Sequence, residues 1–360
     1  MRSKILLFAV ISLFAFQLNA QTVISGLITD SLNVPIPYAR VFLSKTTVGT
    51  LANPEGEYVL TIPQDGNYEI VITCVGYSAK SQIINANGVD RRINMKLNAR
   101  IFVLDEVVIN SKERNRRKNF RLFSEAFIGN TPNSYYCHIE NTKDLVVFQS
   151  SSDSVLKAFS RKPLRIKNLS LGYSVFFDLQ DFQLNLKTGH LRYSGNYFFE
   201  EIKASKNKND RWQLARLNTY YGSKMHFLRA IFNDSLKQEN FELCAYELDS
   251  CRTEWVVANT IEEYDLYNGY DNGTVTLFYN RPVSITYTFN HPEFSPSYVN
   301  RYWPCNFSSV IIFSDLLQVY KNGYYSSPYA ASWGGSMARE RVADMLPYDF
   351  IPTLPAKKKK

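Results

Sequence analysis

Residues 21–109 alternate between short apolar and polar stretches, with turn residues at intervals of about 8–12 residues. Turn-forming side chains cluster at residues 30–33 (Asp-Ser-Leu-Asn) and 64–67 (Gln-Asp-Gly-Asn). Pro35 and Pro37 suit only the edge of a sheet, because proline has no N–H to donate to a neighbouring strand. Many short, evenly spaced strands bury their apolar faces by packing two sheets together, so the pattern predicts a β-sandwich.

The same region contains a candidate hairpin. Residues 49–52 and 58–62 are strand-like, and residues 53–56 (Asn-Pro-Glu-Gly) between them favour a turn. We therefore expect these two strands to be neighbours in one sheet.

Spaced motifs in this region resemble a known family. They read, in order, G-x-I-x-D, P-x-P-Y-A-x-V, G-T-x-x-N-x-x-G-x-Y-x-L and V-x-Y at a strand break. This order resembles the carboxypeptidase regulatory-like domain of Bacteroidetes envelope proteins, and the resemblance implies a transthyretin-like (prealbumin-like) β-sandwich over residues 21–109. Asn53 departs from the family, which more often has Asp there, although both residues suit a turn.

The segment after the sandwich also has a counterpart in that family. In TonB-linked outer-membrane transporters the domain precedes an LDEVVV segment, a plug and a large barrel. The matching residues here are Leu104, Asp105, Glu106, Val107, Val108 and Ile109. About 250 residues follow, too few for a 22-stranded barrel at about 10 residues per strand plus loops. We expect residues 104–109 to form a terminal strand, with a TonB-contacting segment that adds to a partner's sheet as the alternative.

The first twenty residues have the features of an export signal. Arg2 and Lys4 precede an apolar run at residues 5–16, and residues 18–20 end on a small residue suited to cleavage before Gln21. The apolar run is shorter than the ~20 residues that span a bilayer. The sequence therefore predicts a signal peptide over residues 1–20 and an exported protein, periplasmic or outer-membrane associated, whose membrane contact is at most peripheral.

The net charge argues against a nucleic-acid partner. The chain carries a formal charge of +8, of which two charges lie in the signal peptide and four in the terminal Lys357–Lys360 run, so the body is close to neutral at +2. The densest basic stretch is residues 111–121, for which we favour a solvated linker or an exposed helix start. Contact with an acidic lipid or glycan is the alternative.

Beyond the sandwich the sequence predicts a basic linker over residues 110–121, a larger α+β domain over residues 122–355 and a basic tail over residues 356–360. Several sequence blocks in residues 119–350 also resemble the C-terminal region of standalone proteins of the same family, a resemblance that implies no activity. The predicted fold class is thus mainly β, a sandwich followed by an α+β domain.

Four elements of the second domain are specific enough to test. An apolar stripe predicts a helix over residues 209–232 that Gly222 interrupts. A shorter helix is predicted over residues 337–346. Residues 275–279 and 283–289 are strand-like and are predicted to pair with each other.

Catalytic and metal-binding motifs are absent from the sequence. Zinc carboxypeptidases need H-x-x-E and a distant His, and none of the histidines (His138, His190, His226 and His291) has Glu at that spacing. H-E-x-x-H, G-x-S-x-G, C-x-x-C, a Gly-rich phosphate loop and a calcium loop are missing too. We therefore assign no catalytic residue, no metal ligand and no cofactor, and do not expect an enzyme.

Aromatic residues supply the candidate binding surface. The chain has 24 Tyr, 24 Phe and 4 Trp, most of which a β-rich core would absorb. Residues 322–336 (NGYYSSPYAASWGGS) are the exception, because small residues surround the rings and the stretch is predicted to be a loop. The candidate partner-binding residues there are Tyr324, Tyr325, Tyr329 and Trp333.

Cysteine usage allows one local disulfide. The chain has five cysteines, and Cys244 and Cys251 are the nearest pair in sequence. Export permits a bridge between them. The odd total leaves at least one thiol free or paired between chains.

Three hypotheses for function remain open. The first is a non-catalytic cell-envelope protein that binds a protein or glycan partner, with the sandwich as an adaptor through its edge strands. The second is an enzyme with an unrecognised active site in residues 122–355, and the third is an accessory of TonB-linked uptake. A polar, titratable cleft in the second domain would favour the enzyme, and a flat aromatic patch would favour binding.

Overall fold

A computed structural model describes residues 21–99, 113–149, 154–249, 254–271, 273–290, 306–326 and 329–355. The described chain is mainly β and divides into two compact units. The first unit comprises Met1–Ser44 and Val48–Val103, and the second comprises Lys45–Thr47 and Leu104–Lys360. Within the described residues, no helix combines the length and apolar character that a bilayer crossing requires.

The first unit consists of two sheets. Its strands are, in chain order, β1 (Thr22–Thr29), β2 (Arg40–Leu43), β3 (Gly49–Leu51), β4 (Glu57–Ile62), β5 (Gly66–Thr73), β6 (Lys80–Ala86), β7 (Arg91–Arg92) and β8 (Met95–Lys96). One sheet has the order β4-β1-β7, with β8 also paired to β1, and the other has the order β3-β2-β5-β6. Inward side chains such as Ile24, Ile28 and Ile70 are fully buried between the sheets, so the predicted β-sandwich is confirmed.

Of two local predictions for the first unit, the turn at residues 30–33 and the hairpin around residues 53–56, the structure confirms one. The turn at residues 30–33 is confirmed, because Asp30 Oδ1 accepts hydrogen bonds from the N–H groups of Leu32 and Val34, both at 2.8 Å. The predicted hairpin of residues 49–52 with 58–62 is wrong. Strand β3 pairs with β2, whereas β4 pairs with β1 in the opposite sheet. The intervening turn is thus a corner that carries the chain across the core, where the inward side chains of β4 are buried.

The second unit is built from three helices and fourteen strands within the described residues. They are, in chain order, α1 (Glu113–Phe127), β9 (Cys137–Ile139), β10 (Leu145–Gln149), β11 (Val155–Ser160), β12 (Leu164–Asn168), β13 (Tyr173–Asn185), β14 (Leu191–Glu201), α2 (Lys206–Tyr220), α3 (Lys224–Phe232), β15 (Phe241–Asp249), β16 (Glu254–Ile261), β17 (Tyr267–Asp271), β18 (Thr274–Leu277), β19 (Val283–Thr288), β20 (Asn306–Phe313), β21 (Leu317–Tyr320) and β22 (Ala331–Gly335).

These strands form three sheets. The first has the order β10-β11-β13-β12-β9, with β14 also paired to β13. The second has the order β16-β15-β19-β20-β22, and the third is β17-β18-β21. Helix α1 packs on the first sheet through Phe123 and Phe127, which are fully buried, and Phe127 meets Phe177 of β13 edge-to-face at 5.1 Å. Helix α3 packs in a second core with the other two sheets.

Helix α1 begins inside the predicted basic linker. It starts at Glu113 and so includes residues 113–121 of that linker. Arg, Lys and Glu are good helix formers, so a charged stretch can continue a helix beyond its buried face. Residues 113–121 are therefore helical rather than an unstructured linker, with Arg116, Arg117 and Lys118 exposed and Asn119 buried.

The interruption at Gly222 is confirmed. Helix α2 ends at Tyr220 and α3 begins at Lys224, with Gly222 at φ +79° between them. Ser223 caps α3, because its hydroxyl accepts a hydrogen bond from the His226 N–H at 3.1 Å.

Two other predictions for this unit are wrong. Strands β18 and β19 do not pair: β18 lies between β17 and β21, and β19 lies between β15 and β20. Residues 337–346 form two short 3-10 turns, at Met337–Arg339 and Val342–Asp344, instead of one helix. Met337 is buried in the second core and Val342 in the first, and the extended backbone at Arg341 lets the chain reach both.

Candidate functional site

A cavity of about 790 Å³ lies within the second unit. Its wall is formed by residues 189–195 and Tyr197 on and just before β14, by side chains at the junction of α2 and α3 that include Lys224, by Gly323, Tyr325, Tyr329 and residues 331–333, and by side chains between positions 338 and 348 that include Glu340. We call it the tyrosine-lined cavity, after Tyr193, Tyr197, Tyr325 and Tyr348. Its volume falls in the range of about 300–1,000 Å³ that small-ligand sites occupy.

Strand β14 provides one wall. Tyr193 and Tyr197 are four residues apart, so the two-residue period of a strand places them on the same face. Phe127 of α1 meets the Tyr193 ring edge-to-face at 5.3 Å, and Phe177 stacks on Tyr197 at 5.1 Å. Gly195 lies between the two tyrosines, where an added Cβ would approach the Asp178 carbonyl oxygen to 2.2 Å. Close packing of β13 against β14 therefore requires glycine there.

Strand β22 contributes to the wall an indole whose N–H has no hydrogen-bond acceptor among the described residues. Trp333 lies on β22, and its buried Nε1 finds no partner among the described residues. The Tyr325 ring is 6.4 Å away. Burial raises the pKa of Tyr325 to about 12, and the neighbouring indole N–H only partly opposes that rise, without full hydrogen-bond geometry. A buried donor left without an acceptor can be satisfied by a bound ligand or water.

The tyrosine hydroxyls lie close to one another. Burial raises the pKa of Tyr193, Tyr197 and Tyr348, and in each case the Tyr325 hydroxyl adds to the rise. Within the described part of the chain, none of these three hydroxyls donates or accepts a side-chain hydrogen bond. Each phenol can both donate and accept a hydrogen bond, so together they offer a polar lining inside an aromatic wall.

One carboxyl group of the wall, Glu340, has an unusual environment. Its Oε1 accepts a hydrogen bond from the Lys224 backbone N–H at 2.8 Å, while the Lys224 ammonium is 4.0 Å from Oε2. About a quarter of the side chain is accessible, at 24%, although the residue lies deep in the unit, so the accessible part faces the cavity. Burial raises the pKa of Glu340 to about 7. A carboxyl group of this kind can hold or release a proton near neutral pH.

A second carboxyl group of the wall, on Asp344, is hydrogen-bonded by Thr131 and Asn133. Its oxygens accept hydrogen bonds from the Thr131 hydroxyl at 2.8 and 3.0 Å and from the Asn133 amide at 2.9 Å. Burial raises its pKa, and these hydrogen bonds oppose the rise. Asp344 therefore serves mainly to anchor the 3-10 turn at Val342–Asp344.

The structure brings three of the sequence-based candidates to this cavity. Tyr325, Tyr329 and Trp333 line it, and Tyr329 is also 61% exposed. Tyr324 is not part of the lining, and its ring packs 5.4 Å from Tyr320. Trp333 lies on a strand and not in the predicted loop, because β22 pairs with β20. The roles of all four in partner binding stay predictions.

The remaining sequence-based candidates fall wholly or partly outside the described residues. Residues 104–109 are not described, so both interpretations of that segment stay predictions. Cys244 lies on β15, but Cys251 is outside the described residues, and the disulfide between them also stays a prediction.

Sequence reasoning missed Tyr193, Tyr197, Lys224 and Glu340. The i, i+4 spacing of the two tyrosines on a strand-like segment was available as a signal, but only the pairing of β14 with β13 fixes which face meets the cavity. Across the described part of the chain, no group of three or more His, Cys, Asp or Glu side chains could hold a metal ion.

Three solved structures to which the chain is similar show weak likenesses. Catechol 1,2-dioxygenase from Acinetobacter is 10% identical over 27% of this chain and 59% of its own, with a TM-score of 0.21. A cohesin–X-dockerin complex from Acetivibrio cellulolyticus is 20% identical over 22% of this chain and 58% of its own, with a TM-score of 0.20. A proposed carbohydrate binding protein from Bacteroides uniformis is 10% identical over 51% of this chain and 79% of its own, with a TM-score of 0.19.

TM-scores this low carry no argument about function. This chain also spans less than two thirds of the length of the first two structures. No curated protein matches the chain. One family model does match: it is described as the CarboxypepD_reg-like domain, and it covers residues 24–109. That range coincides with the described β-sandwich up to residue 99. Residues 24–109 therefore belong to the CarboxypepD_reg-like domain family.

Proposed function

We propose that the protein is a non-catalytic binding module of the cell envelope, and that its second unit binds a glycan in the tyrosine-lined cavity. The observation that carries the proposal is the Trp333 indole N–H, buried without an acceptor among the described residues, in a cavity that Tyr193, Tyr197 and Tyr348 also line. The first unit acts as the adaptor, and export to the periplasm or outer membrane follows from the signal peptide expected at residues 1–20.

A glycan suits this cavity for two physical reasons. Sugar rings have apolar faces that pack on aromatic rings, and their hydroxyl groups need partners when they leave water. Tyr193 and Tyr197 of β14 offer both kinds of contact, and Trp333 of β22 offers a hydrogen-bond donor. A protein partner would favour a broad exposed surface, whereas these groups line a recess.

The test is calorimetric titration of the full mature chain with a panel of neutral and acidic tetrasaccharides. We expect at least one to bind with a dissociation constant below about 1 mM, and we expect Tyr193→Phe or Trp333→Phe to weaken that binding about tenfold, as the loss of one hydrogen bond allows. Tyr135→Phe is the matched control, because Tyr135 is 82% exposed and is not part of the cavity wall. The absence of binding across the panel would refute the proposal.

A hydrolase is the second candidate, and one observation favours it. Glu340 has its pKa raised to about 7 and faces the cavity, a placement that suits a general acid. The same panel, incubated for a day with the protein, would reveal new reducing ends if the cavity were catalytic. Their loss in Glu340→Gln would assign the role, and intact sugars would leave the binding module as the function.

The TonB-linked alternative has its own test. If residues 104–109 add a strand to a transporter or TonB component, their deletion would abolish crosslinking to that partner in the envelope and leave saccharide binding unchanged. Crosslinking that survives the deletion would refute this alternative.

A further inference from the structure

We propose that the glycan bound in the tyrosine-lined cavity carries a carboxylate, as a uronic acid does, and that Arg341 and Lys224 bind that carboxylate. The inference rests on the proposed glycan-binding function and names the chemical class of the ligand. It follows from the arrangement of charged groups on the cavity wall.

Arg341 presents an unused pair of donors. Its Nη1 donates to the backbone carbonyl oxygens of Ala338 and Glu340, the latter at 3.0 Å, which fixes the guanidinium in place. Its Nε and Nη2 donate to none of the described residues. These two nitrogens lie on one edge of the guanidinium plane and match the two oxygens of a carboxylate.

Among the residues that the structure describes, Lys224 has only a distant ion-pair partner. Its ammonium is 4.0 Å from Glu340 Oε2, longer than a hydrogen bond, and Glu340 is already bonded to the Lys224 backbone N–H. The Lys224 side chain is 22% exposed and lines the cavity. Its ammonium group can therefore turn to a ligand carboxylate without breaking a hydrogen bond.

Both cations act on the same tyrosine of the wall. Lys224 and Arg341 line the cavity together with Tyr193, and both oppose the rise of the Tyr193 pKa. A carboxylate bound by Arg341 and Lys224 could accept a third hydrogen bond from the Tyr193 hydroxyl. The ring that bears this carboxylate would then lie beside the aromatic wall of β14.

Basic side chains outnumber carboxyl groups on the wall. Lys45, which groups with the second unit, also lines the cavity, whereas Arg192 is paired with Asp181 at 3.6 Å, so Lys45, Lys224 and Arg341 face two carboxyl groups. Of those carboxyl groups, Asp344 is held by Thr131 and Asn133. The other, on Glu340, is readily protonated in its buried environment. The cavity therefore favours an anionic ligand over a neutral or cationic one.

The experiment compares tetragalacturonate with its carboxyl-reduced, neutral form by calorimetric titration, and repeats the comparison with tetramannuronate. We expect at least one acidic sugar to bind ten times or more tighter than its reduced form. Equal affinity of an acidic sugar and its reduced form would overturn the carboxylate inference and leave the glycan function standing. Failure of every saccharide to bind would overturn both.

Variants separate the carboxylate contact from a general charge effect. Lys224→Met and Arg341→Lys should each weaken binding of the acidic sugar about tenfold and leave binding of the neutral sugar unchanged. Lys224→Met removes a positive charge, whereas Arg341→Lys keeps the charge and loses the paired donors. Lys321→Met is the control, since Lys321 is exposed and does not line the cavity. Equal losses for the acidic and neutral sugars would contradict recognition of the carboxylate.

Discussion

Substitution of Glu340 by Gln should change how the stability of the second unit depends on pH. The folded protein raises the pKa of Glu340 from 4.5 to about 7, so the folded state binds a proton that the unfolded state releases in this interval. The contribution to stability is therefore fully present below pH 4.5 and is lost as the pH rises through 7. A shift of this size corresponds to about 3 kcal/mol as an upper bound, and the partial exposure of the side chain reduces it to about 1–3 kcal/mol.

The assay is urea unfolding at pH 5 and pH 8, followed by tryptophan fluorescence. All four tryptophans (residues 212, 255, 303 and 333) lie in the second unit, so the signal reports that unit alone. Glu340→Gln stays neutral and keeps an oxygen for the Lys224 N–H. We expect its free energy of unfolding, relative to the wild type, to rise by about 1–3 kcal/mol from pH 5 to pH 8.

Glu242→Gln is the control, because Glu242 is exposed on β15. Its free energy of unfolding should stay within about 0.5 kcal/mol of the wild type at both pH values. If the difference between Glu340→Gln and the wild type were the same at pH 5 and pH 8, our account of the Glu340 environment would be refuted.

Three further predictions concern packing and reactivity. Gly222→Ala should lower the free energy of unfolding in urea by about 2–5 kcal/mol, because Gly222 has φ +79° and the added Cβ would come within 2.8 Å of the Tyr287 ring. The control is Gly273→Ala, at φ +76° with no atom near the added Cβ, which should lower it by only about 1–2 kcal/mol. Equal losses in the two variants would exclude an effect of the ring contact. Burial raises the pKa of the Cys137 thiol to about 12. At pH 8 we therefore expect iodoacetamide to modify Cys137 in urea and not in the native protein, as measured by mass spectrometry of the peptide that contains it. Modification of the native protein would contradict this prediction. Asn168→Ala should lower the free energy of unfolding in urea by about 2–4 kcal/mol, because it leaves the Ser170 and Leu171 N–H groups and the Ala343 carbonyl oxygen without their hydrogen bonds to Asn168. A loss below about 1 kcal/mol would contradict that account.

Local chemistry made part of the fold predictable. The turn at Asp30 and the helix break at Gly222 depend on neighbouring residues, and both are confirmed. Strand partners depend on distant residues. The segments at residues 49–52 and 58–62 suit a hairpin equally well as a corner between two sheets, and only the burial of β4 beside β1 decides between them.

The candidate site was predictable to a similar degree. Tyr325 and Trp333 stood out because the sequence around them is rich in small residues and rings. Tyr193 and Tyr197 did not, because a strand has two faces and its own sequence does not tell which one meets a cavity. Glu340 resembles any other charged residue until its burial is known, and the residue that donates a hydrogen bond to it, Lys224, is 116 positions away.

The two 3-10 turns at residues 337–344 also bear on how the protein must fold. Thr131 reaches Asp344 across 213 residues, and the Ala343 N–H donates to the Ile128 carbonyl oxygen, so the first core closes only around residues near the end of the chain. Contacts this distant in sequence slow folding, because a long loop must be ordered before they form. A ribosome that has not yet reached residue 350 therefore carries a second unit with an open core. Loss of residues 342–350 would expose aromatic rings more than 200 positions upstream, among them Phe123 and Phe127.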